Sequence, residues 1–527
     1  IGVGLSMLLI ALGGGVATVL VSFISSRIAA GVAKNLRHDV FKKVNSFSKA
    51  EYDRFSTASL ITRSTNDVMQ IQMLLTFGIR MIFYAPILGT GGVIMALNKS
   101  VSMGWIIALA CIVLVGFISI IFSVVMPKFK LMQKYIDRLN LVARETLNGL
   151  MVIRAFGRSN FEKERFDGAN RDLTETNLFV NKAMVFTMPV MMLIMNGVVL
   201  LIIWVGSHYV AESQMQVGDM MAFMQYAMQI IMSFLMISMM FFFIPRASVS
   251  ALRITEILET TPTITDSLHP RAMKGANMGY VQFKNVSFRY TGAEEDALKN
   301  ISFEAKPGET TALIGSTGAG KSTLINLIPR FYDANDGEVL VNGVNVKDVT
   351  QKELRSHIGY VPQKSVLMSG TVESNIKYGN EEITEAEIVQ IAEVAQVLDF
   401  IKEKAEGFQT EISQGGANVS GGQKQRLAIA RALAVKPAIY IFDDSFSALD
   451  FKTESKLRKA LKKHTGDSTV IIVTQRVSTI MTSEQIYVLD SGKIVGRGTH
   501  GELLKSCPEY YEIASSQLSQ EETGHAH

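Results

Sequence analysis

The sequence predicts an α-helical polytopic membrane domain fused to an α/β soluble domain. Three observations carry that prediction. Hydrophobic residues make up 48% of the 527, and the mean hydropathy is positive. The apolar excess is concentrated in residues 1–245, which hold long runs without charge. Residues 280–520 instead show short continuous apolar runs between polar turns, the pattern of strands buried on both faces of an α/β sheet. The net charge of +4 is too small to argue for a nucleic-acid partner, and no basic block with interleaved aromatics occurs. Cys111 and Cys507 make neither a metal spacing nor a disulfide framework.

Five stretches lack Asp, Glu, Lys and Arg: 1–26, 81–98, 100–127, 183–211 and 220–245. About 20 apolar residues cross the hydrocarbon core as a helix, so each qualifies as a span, the second narrowly. No basic segment precedes residues 1–26, which argues against a secretory signal. Lys and Arg set the orientation. Eight of them lie between Ser26 and Thr76 and eleven between Pro127 and Lys182. The other connections carry only Lys99 or none. The two long basic segments are therefore expected on the cytoplasmic side. That places Ile1 outside and residues after Arg246 inside. A cytoplasmic start would need one more span, so six spans are expected, with the first upstream of this sequence.

The long inner segments have helical apolar spacing, as in Ala143–Leu147–Leu150–Ile153. Each breaks at a polar tip, one near Asp53-Arg54-Phe55-Ser56 and one near Arg158-Ser159-Asn160-Phe161. Met220, Met224, Met228, Met232, Met236 and Met240 recur in steps of four, which keeps neighbours adjacent on a helix. Flexible thioethers suit a surface that accepts many apolar shapes, and they suit plain helix packing equally. The spans hold no acid at mid-depth, which argues against proton- or cation-coupled transport.

Thr260-Thr-Pro-Thr-Ile-Thr-Asp266 and His269-Pro-Arg271 end the helical pattern. The expected division is a membrane domain over 1–258, a linker over 259–278, a nucleotide-binding domain over 279–515 and a polar tail over 516–527. Val281–Tyr290 alternates like a strand, and 311–314, 439–442 and 470–473 read as buried strands.

Gly315-Ser316-Thr317-Gly318-Ala319-Gly320-Lys321-Ser322 follows one of these strands and leads into a helix from Thr323. Glycines let backbone N–H groups turn in around phosphate, and the helix start adds its positive dipole end. Lys321 is placed to reach the β- and γ-phosphates, and the Ser322 hydroxyl to ligate Mg²⁺. Ser420-Gly421-Gly422-Gln423 opens another helix, either as a second small anion site or as a plain N-cap with Ser420 as the cap.

The order of phosphate loop, Tyr360-Val-Pro-Gln363, Ser420-Gly-Gly-Gln423, Ile439-Tyr-Ile-Phe-Asp-Asp444 and Ser447-Ala-Leu-Asp450 resembles that of an ABC exporter half-transporter. The likeness covers the whole chain apart from the expected upstream span. It implies an ATP hydrolase coupled to export, in a multi-pass bacterial cell-membrane protein whose nucleotide-binding domain is cytoplasmic. It implies that Tyr290 stacks on adenine, and that Gln363 and Asp443 join Ser322 around Mg²⁺. Ser420 to Gln423 would cap the γ-phosphate of ATP held by a partner domain, with Asp450 in the loop beside it. The two polar tips would be the coupling helices. Two such domains would sandwich two ATP molecules head to tail.

The sequence departs from that family pattern twice. The family's hydrolysing members carry Glu after the Mg²⁺ aspartate and His in the following strand; here those positions hold Asp444 and Gln475. Phosphoryl transfer depends on positioning and electrostatics, so a shortened acid and an uncharged amide are expected to bind ATP and cut it slowly. This resembles the degenerate-site subunit of heterodimeric bacterial multidrug ABC exporters. The implied partners are a second half-transporter carrying Glu and His and the membrane lipid, and the implied cargo is an amphipathic small molecule or drug. The alternatives are a dedicated lipid, peptide or haem-like cargo, an ATP-binding regulatory or gating subunit, and a slow homodimer.

Overall fold

The computed structural model describes residues 2–273 and 278–518. It divides into two compact units: residues 1–45 with 57–260, and residues 46–56 with 261–527. The last residues of the expected polar tail lie outside the described part.

The first unit consists of helices α1 (Gly2–Asn45), α3 (Thr57–Thr62), α4 (Val68–Lys99), α5 (Gly104–Asn148), α6 (Leu150–Ala155), α7 (Ser159–Ala211) and α8 (Val217–Glu259). A short α2 (Lys49–Arg54) belongs to the second unit. Among the described residues five helices are long and apolar enough to cross a membrane, one for each uncharged stretch. At about 1.5 Å per residue they run roughly 48–80 Å, well past a hydrocarbon core of about 30 Å. The spans thus continue into the inner segments, as their apolar spacing predicts.

Helix α4 packs along α8, and α5 along α7. Small residues make the first pairing possible. A Cβ on Gly92 would sit 2.8 Å from Ile230 Cγ1, and one on Gly89 would sit 2.7 Å from the Ser233 hydroxyl. Inside lipid, where water drives no association, close backbone approach of this kind supplies the packing energy. Below the apolar region the turn Arg63–Asp67, which leads into α4, is joined to α8 by polar contacts. The Arg63 guanidinium donates to the Arg253 carbonyl (2.8 Å) and to Glu256 (2.7 Å), and the Ser250 hydroxyl donates to buried Asp67 (2.8 Å).

The methionine row of α8 does not form one surface. Met240 packs near Gly78 and Met220 near Gly206, while Met228 and Met232 are exposed. Steps of four drift around a 3.6-residue helix, so six of them cannot share a face.

The second expected break falls at Phe156–Arg158, between α6 and α7. Its tip is apolar and bare: Leu147, Met151 and Phe156 are 74–78% exposed. The first break contrasts with it. Phe55 is 4% exposed and stacks on Phe47. The Glu51 carboxylate accepts from the Ser48 N–H (2.9 Å) and the Thr263 N–H (3.1 Å), tying segment 46–56 to the chain that follows α8.

The second unit holds strands β1 (Val281–Phe288), β2 (Leu298–Ala305), β3 (Thr310–Gly315), β4 (Asp336–Val341), β5 (Val344–Asn345), β6 (Ile358–Val361), β7 (Gly370–Thr371), β8 (Glu411–Ile412), β9 (Ile439–Asp443), β10 (Thr469–Val473), β11 (Gln485–Asp490) and β12 (Lys493–Gly498). The main sheet has the order β12-β11-β3-β10-β9-β6, parallel except for β12. An antiparallel sheet, β2-β1-β4-β5, accompanies it. Strands β9 and β10 are buried throughout, which is why their sequences are continuously apolar. Tyr440 and Phe442 face one apolar cluster; Ile439 and Ile441 face the other.

Phe442 is fully buried, packs against Tyr440 and Phe446, and immediately precedes Asp443. Phe442→Ala is expected to destabilise the second unit by about 3–5 kcal/mol, read as a lower denaturant midpoint.

Candidate functional site

The site forms where the parallel strands end. Between β3 and helix α9 (Lys321–Leu327) the chain makes the glycine loop predicted from the sequence. Glycine is obligatory at two of its positions. Gly315 has φ +154° and a Cβ there would lie 2.0 Å from the Leu489 carbonyl oxygen; Gly320 has φ +98° and a Cβ would lie 2.8 Å from the Ala297 carbonyl oxygen. Ser316, Thr317, Gly318 and Ala319 complete the turn between them.

Lys321 is buried and folds back over this loop, donating to the carbonyls of Gly315 (2.8 Å) and Ser316 (2.7 Å). Burial pulls its ammonium pKa down, while the nearby charges of Asp444 and Asp443 oppose that fall. The Ser322 hydroxyl donates to Asp443 at 3.0 Å. Burial pushes the Asp443 carboxyl up; the Ser322 bond opposes this and the Asp444 charge adds to it. Among the described residues no three His, Cys, Asp or Glu side chains gather around a metal. A hydroxyl and a carboxylate side by side do fit Mg²⁺, which takes few protein oxygens and completes its shell with phosphate and water. Gln363 is exposed, two residues beyond Val361, which pairs with Phe442 next to Asp443.

Tyr290 lies beside the loop. Its hydroxyl is 2.9 Å from the Thr323 hydroxyl, its ring is edge-on to Phe288, and 37% of it is exposed. That leaves ring surface for a planar base.

Asp444 is half-buried and has φ +45°. Its N–H donates to the Val473 carbonyl (2.9 Å), and its own carbonyl accepts from the Ser447 hydroxyl (2.8 Å). Asp is among the few non-glycine residues that visit this left-handed region readily, because its short side chain tolerates it. The backbone thus supplies a reason for a short acid that sequence reasoning missed. Gln475 is exposed, and its carbonyl accepts from the Gln517 amide (2.8 Å).

Both readings of the Ser420–Gln423 motif rest on one geometry. Ser420 caps the helix Gly421–Ala434, donating through its N–H to Gln423 (2.9 Å) and accepting the Gln423 N–H (3.3 Å). Ser420 and Gly421 remain exposed. Asp450 caps the helix Phe451–Thr465 by accepting from the Thr453 N–H (3.0 Å), which lowers its pKa. Sequence reasoning also missed the residues that tie these loops together. Buried Gln425 accepts from the Ala448 N–H (3.2 Å), and Arg476 donates to the Ser447 carbonyl (2.8 Å) and to buried Glu454 (3.4 Å). The available signal was Arg476, a lone cation directly after Gln475.

The first unit has a cavity of about 870 Å³. Its walls are apolar, with Phe117, Phe122, Met126, Met184 and Met191, and Gln70, Asp137, Arg246 and Arg253 add polar groups. The lining methionines come from α5 and α7, not from the step-of-four row of α8.

Residues 1–234 match the family model for the ABC transporter transmembrane region, and residues 298–447 match the ABC transporter model. The chain is 42% identical over 94% of its length to an ABC transporter ATP-binding protein of Mycobacterium tuberculosis, covering 85% of that protein. It is 38% identical over 98% of its length to YfiB of Bacillus subtilis, covering 89% of it. With an ATP-dependent lipid A-core flippase of Aromatoleum aromaticum it shares 32% over 99%, covering 86%. The solved structure of a bacterial Atm1-family ABC exporter with ATP bound superposes with a TM-score of 0.79 at 27% identity, over 94% of this chain and 86% of that one. The chain belongs to the ABC transporter family, as a multi-pass exporter half-transporter that couples ATP hydrolysis to transport.

Proposed function

We propose that this chain is one subunit of a heterodimeric exporter of amphipathic small molecules, binding ATP in a degenerate site of its own. The observation that carries the reading is an intact phosphate cradle beside two altered catalytic positions, Asp444 and Gln475. Lys321 and the loop N–H groups hold the phosphates. Ser322, Asp443 and Gln363 would hold Mg²⁺, which would supply positive charge against the phosphates. Tyr290 stacks on adenine. Asp444 orients water poorly, one methylene short of the family's Glu, and Gln475 cannot become cationic. A misplacement of about 1 Å costs on the order of a hundredfold. The Ser420–Gln423 segment, with Ser420 and Gly421 exposed, completes the competent site of a partner that carries Glu and His. The bare apolar tip Leu147–Phe156 is consistent with a partner surface covering it.

The cavity supports an amphipathic cargo, since its walls bury an apolar body and its polar residues can face a head group. The likeness to lipid A-core flippases favours a second reading, a dedicated lipid cargo.

The chain purified alone should bind ATP tightly and turn it over slowly. Asp444→Glu with Gln475→His should raise turnover by an order of magnitude or more. Lys321→Ala should abolish nucleotide binding. Brisk turnover by the unaltered chain, lost in Asp444→Asn, would favour the homodimer instead.

Because burial and the Asp444 charge raise the Asp443 pKa, Asp443 protonates at a higher pH than an ordinary aspartate. Mg²⁺-dependent ATP affinity should therefore fall early as pH drops. Asp444→Asn removes the repulsion, lowers the Asp443 pKa and shifts that fall to lower pH, as measured by equilibrium binding across pH.

Met184→Trp narrows the cavity. In the paired complex it should reduce amphiphile-stimulated ATPase while leaving basal ATPase unchanged. Stimulation by one phospholipid class alone, and by no drug-like amphiphile, would favour the lipid reading. No stimulation by any amphiphile would point to a regulatory subunit.

A further inference from the structure

We propose that Tyr332 links the adenine pocket to segment 46–56, so that this segment responds to the base of ATP and not only to its phosphates. The inference rests on the reading of Tyr290 as the adenine-stacking residue.

The link is continuous. The Tyr332 hydroxyl donates to the Asp53 carboxylate at 3.2 Å. Its ring meets that of Tyr290 edge-on, with centroids 5.3 Å apart at 88°, and lies 5.4 Å from Phe288. Phe288 in turn packs edge-on to Tyr290 at 4.9 Å. Three rings thus form one cluster, with the Tyr290 hydroxyl at the phosphate loop and the Tyr332 hydroxyl at α2.

The surroundings fix everything except the rings. Buried Arg330 chelates Asp333 through Nε (2.9 Å) and Nη2 (3.2 Å). Arg355 donates to the carbonyls of Pro329 (3.0 Å) and Arg330 (3.2 Å). The backbone carrying Tyr332 is therefore clamped on both sides. A base stacked on Tyr290 acts on Tyr332 through their ring contact, restricting its side-chain rotamer and so holding the hydroxyl in the bond to Asp53 that the structure already shows. At the far end Lys49 pairs with Asp53, and Glu51 holds the segment to Thr263. Loss of the Tyr332 bond therefore leaves segment 46–56 attached but uninformed. Burial and the Asp53 charge both raise the Tyr332 pKa, which keeps the hydroxyl protonated as a donor.

The test is amide hydrogen exchange on the full chain in nanodiscs, with Mg²⁺ and either ATP or tripolyphosphate, which carries the phosphates without the base. ATP is expected to slow exchange in 46–56 by about fivefold or more, whereas tripolyphosphate slows only the loop at 315–323. Tyr332→Phe keeps the ring cluster and removes the donor. It should retain ATP protection at 315–323 and lose it at 46–56. Asp53→Ala, which removes the acceptor from the other side, should reproduce that loss in the rest of the segment. Equal protection of 46–56 by tripolyphosphate, or an unaltered ATP response in Tyr332→Phe, overturns the proposal. Unchanged ATP affinity in Tyr290→Ala instead overturns the adenine reading beneath it, so the two failures are told apart.

Discussion

A single hydrogen bond, from the Ser322 hydroxyl to the Asp443 carboxylate, joins the two strand ends on which the nucleotide site depends. One partner follows β3 and the other ends β9, with β10 between them in the sheet. Strands buried on both faces cannot shift register without moving a whole apolar set out of the core. The sheet thus holds the two oxygens at a fixed separation. The price is a buried ammonium and a buried carboxylate close together, along with Asp444. Lys321 is satisfied by two carbonyls of its own loop, and those bonds are the ones a phosphate would replace. The loop is therefore built to exchange one set of partners for another at little cost in unmet hydrogen bonds.

What the sequence makes legible follows burial. Spans and central strands are visible because both need continuous apolar residues, over about 20 positions in lipid and about five in a parallel sheet. The phosphate loop is visible because its glycines answer to hard steric limits, such as the Leu489 carbonyl beside Gly315. Features that depend on which residues meet across the fold are not visible. Arg476 reads as a surface cation until Ser447 and Glu454 are placed against it. The methionine row of α8 looks like one surface in a string of letters and becomes several in a helix that turns every 3.6 residues. The cavity takes its thioethers from α5 and α7, whereas α8 lines it with Leu235, Ser238 and residues from Pro245 to Arg253 rather than with its methionines. Segment 46–56 is contiguous with the spans in sequence, yet Glu51, Phe55 and Asp53 all find their partners in the second unit.

The two inner tips look alike as sequence, since each is a polar break between long helices. They differ in what they bury. At the first, Phe55 is inside and stacked on Phe47; at the second, Phe156 and Met151 stand in solvent. Burying side chains of that size stabilises by about 1.5–3 kcal/mol each, so leaving several exposed at one tip is unfavourable for a chain on its own. A partner surface would resolve the imbalance, and this favours the proposed pairing of half-transporters on grounds separate from the nucleotide site.

Asp444 and Gln475 do not weigh equally as departures from the family pattern. At position 444 the backbone itself prefers a short acid. With φ at +45° a longer, more flexible side chain gains nothing locally, whereas Asp can settle against nearby backbone. An aspartate there is compatible with degraded chemistry and with simple conformational preference. Gln475 has no such excuse. It is exposed beyond β10, its backbone carbonyl is held by Gln517, and its side chain is free to be any polar residue. Nothing in the packing around it disfavours histidine. A position that structure leaves open and that nonetheless lacks the ionisable ring is the departure that favours the proposed slow site. The stronger support for a site that holds ATP better than it cuts it therefore comes from the amide at 475.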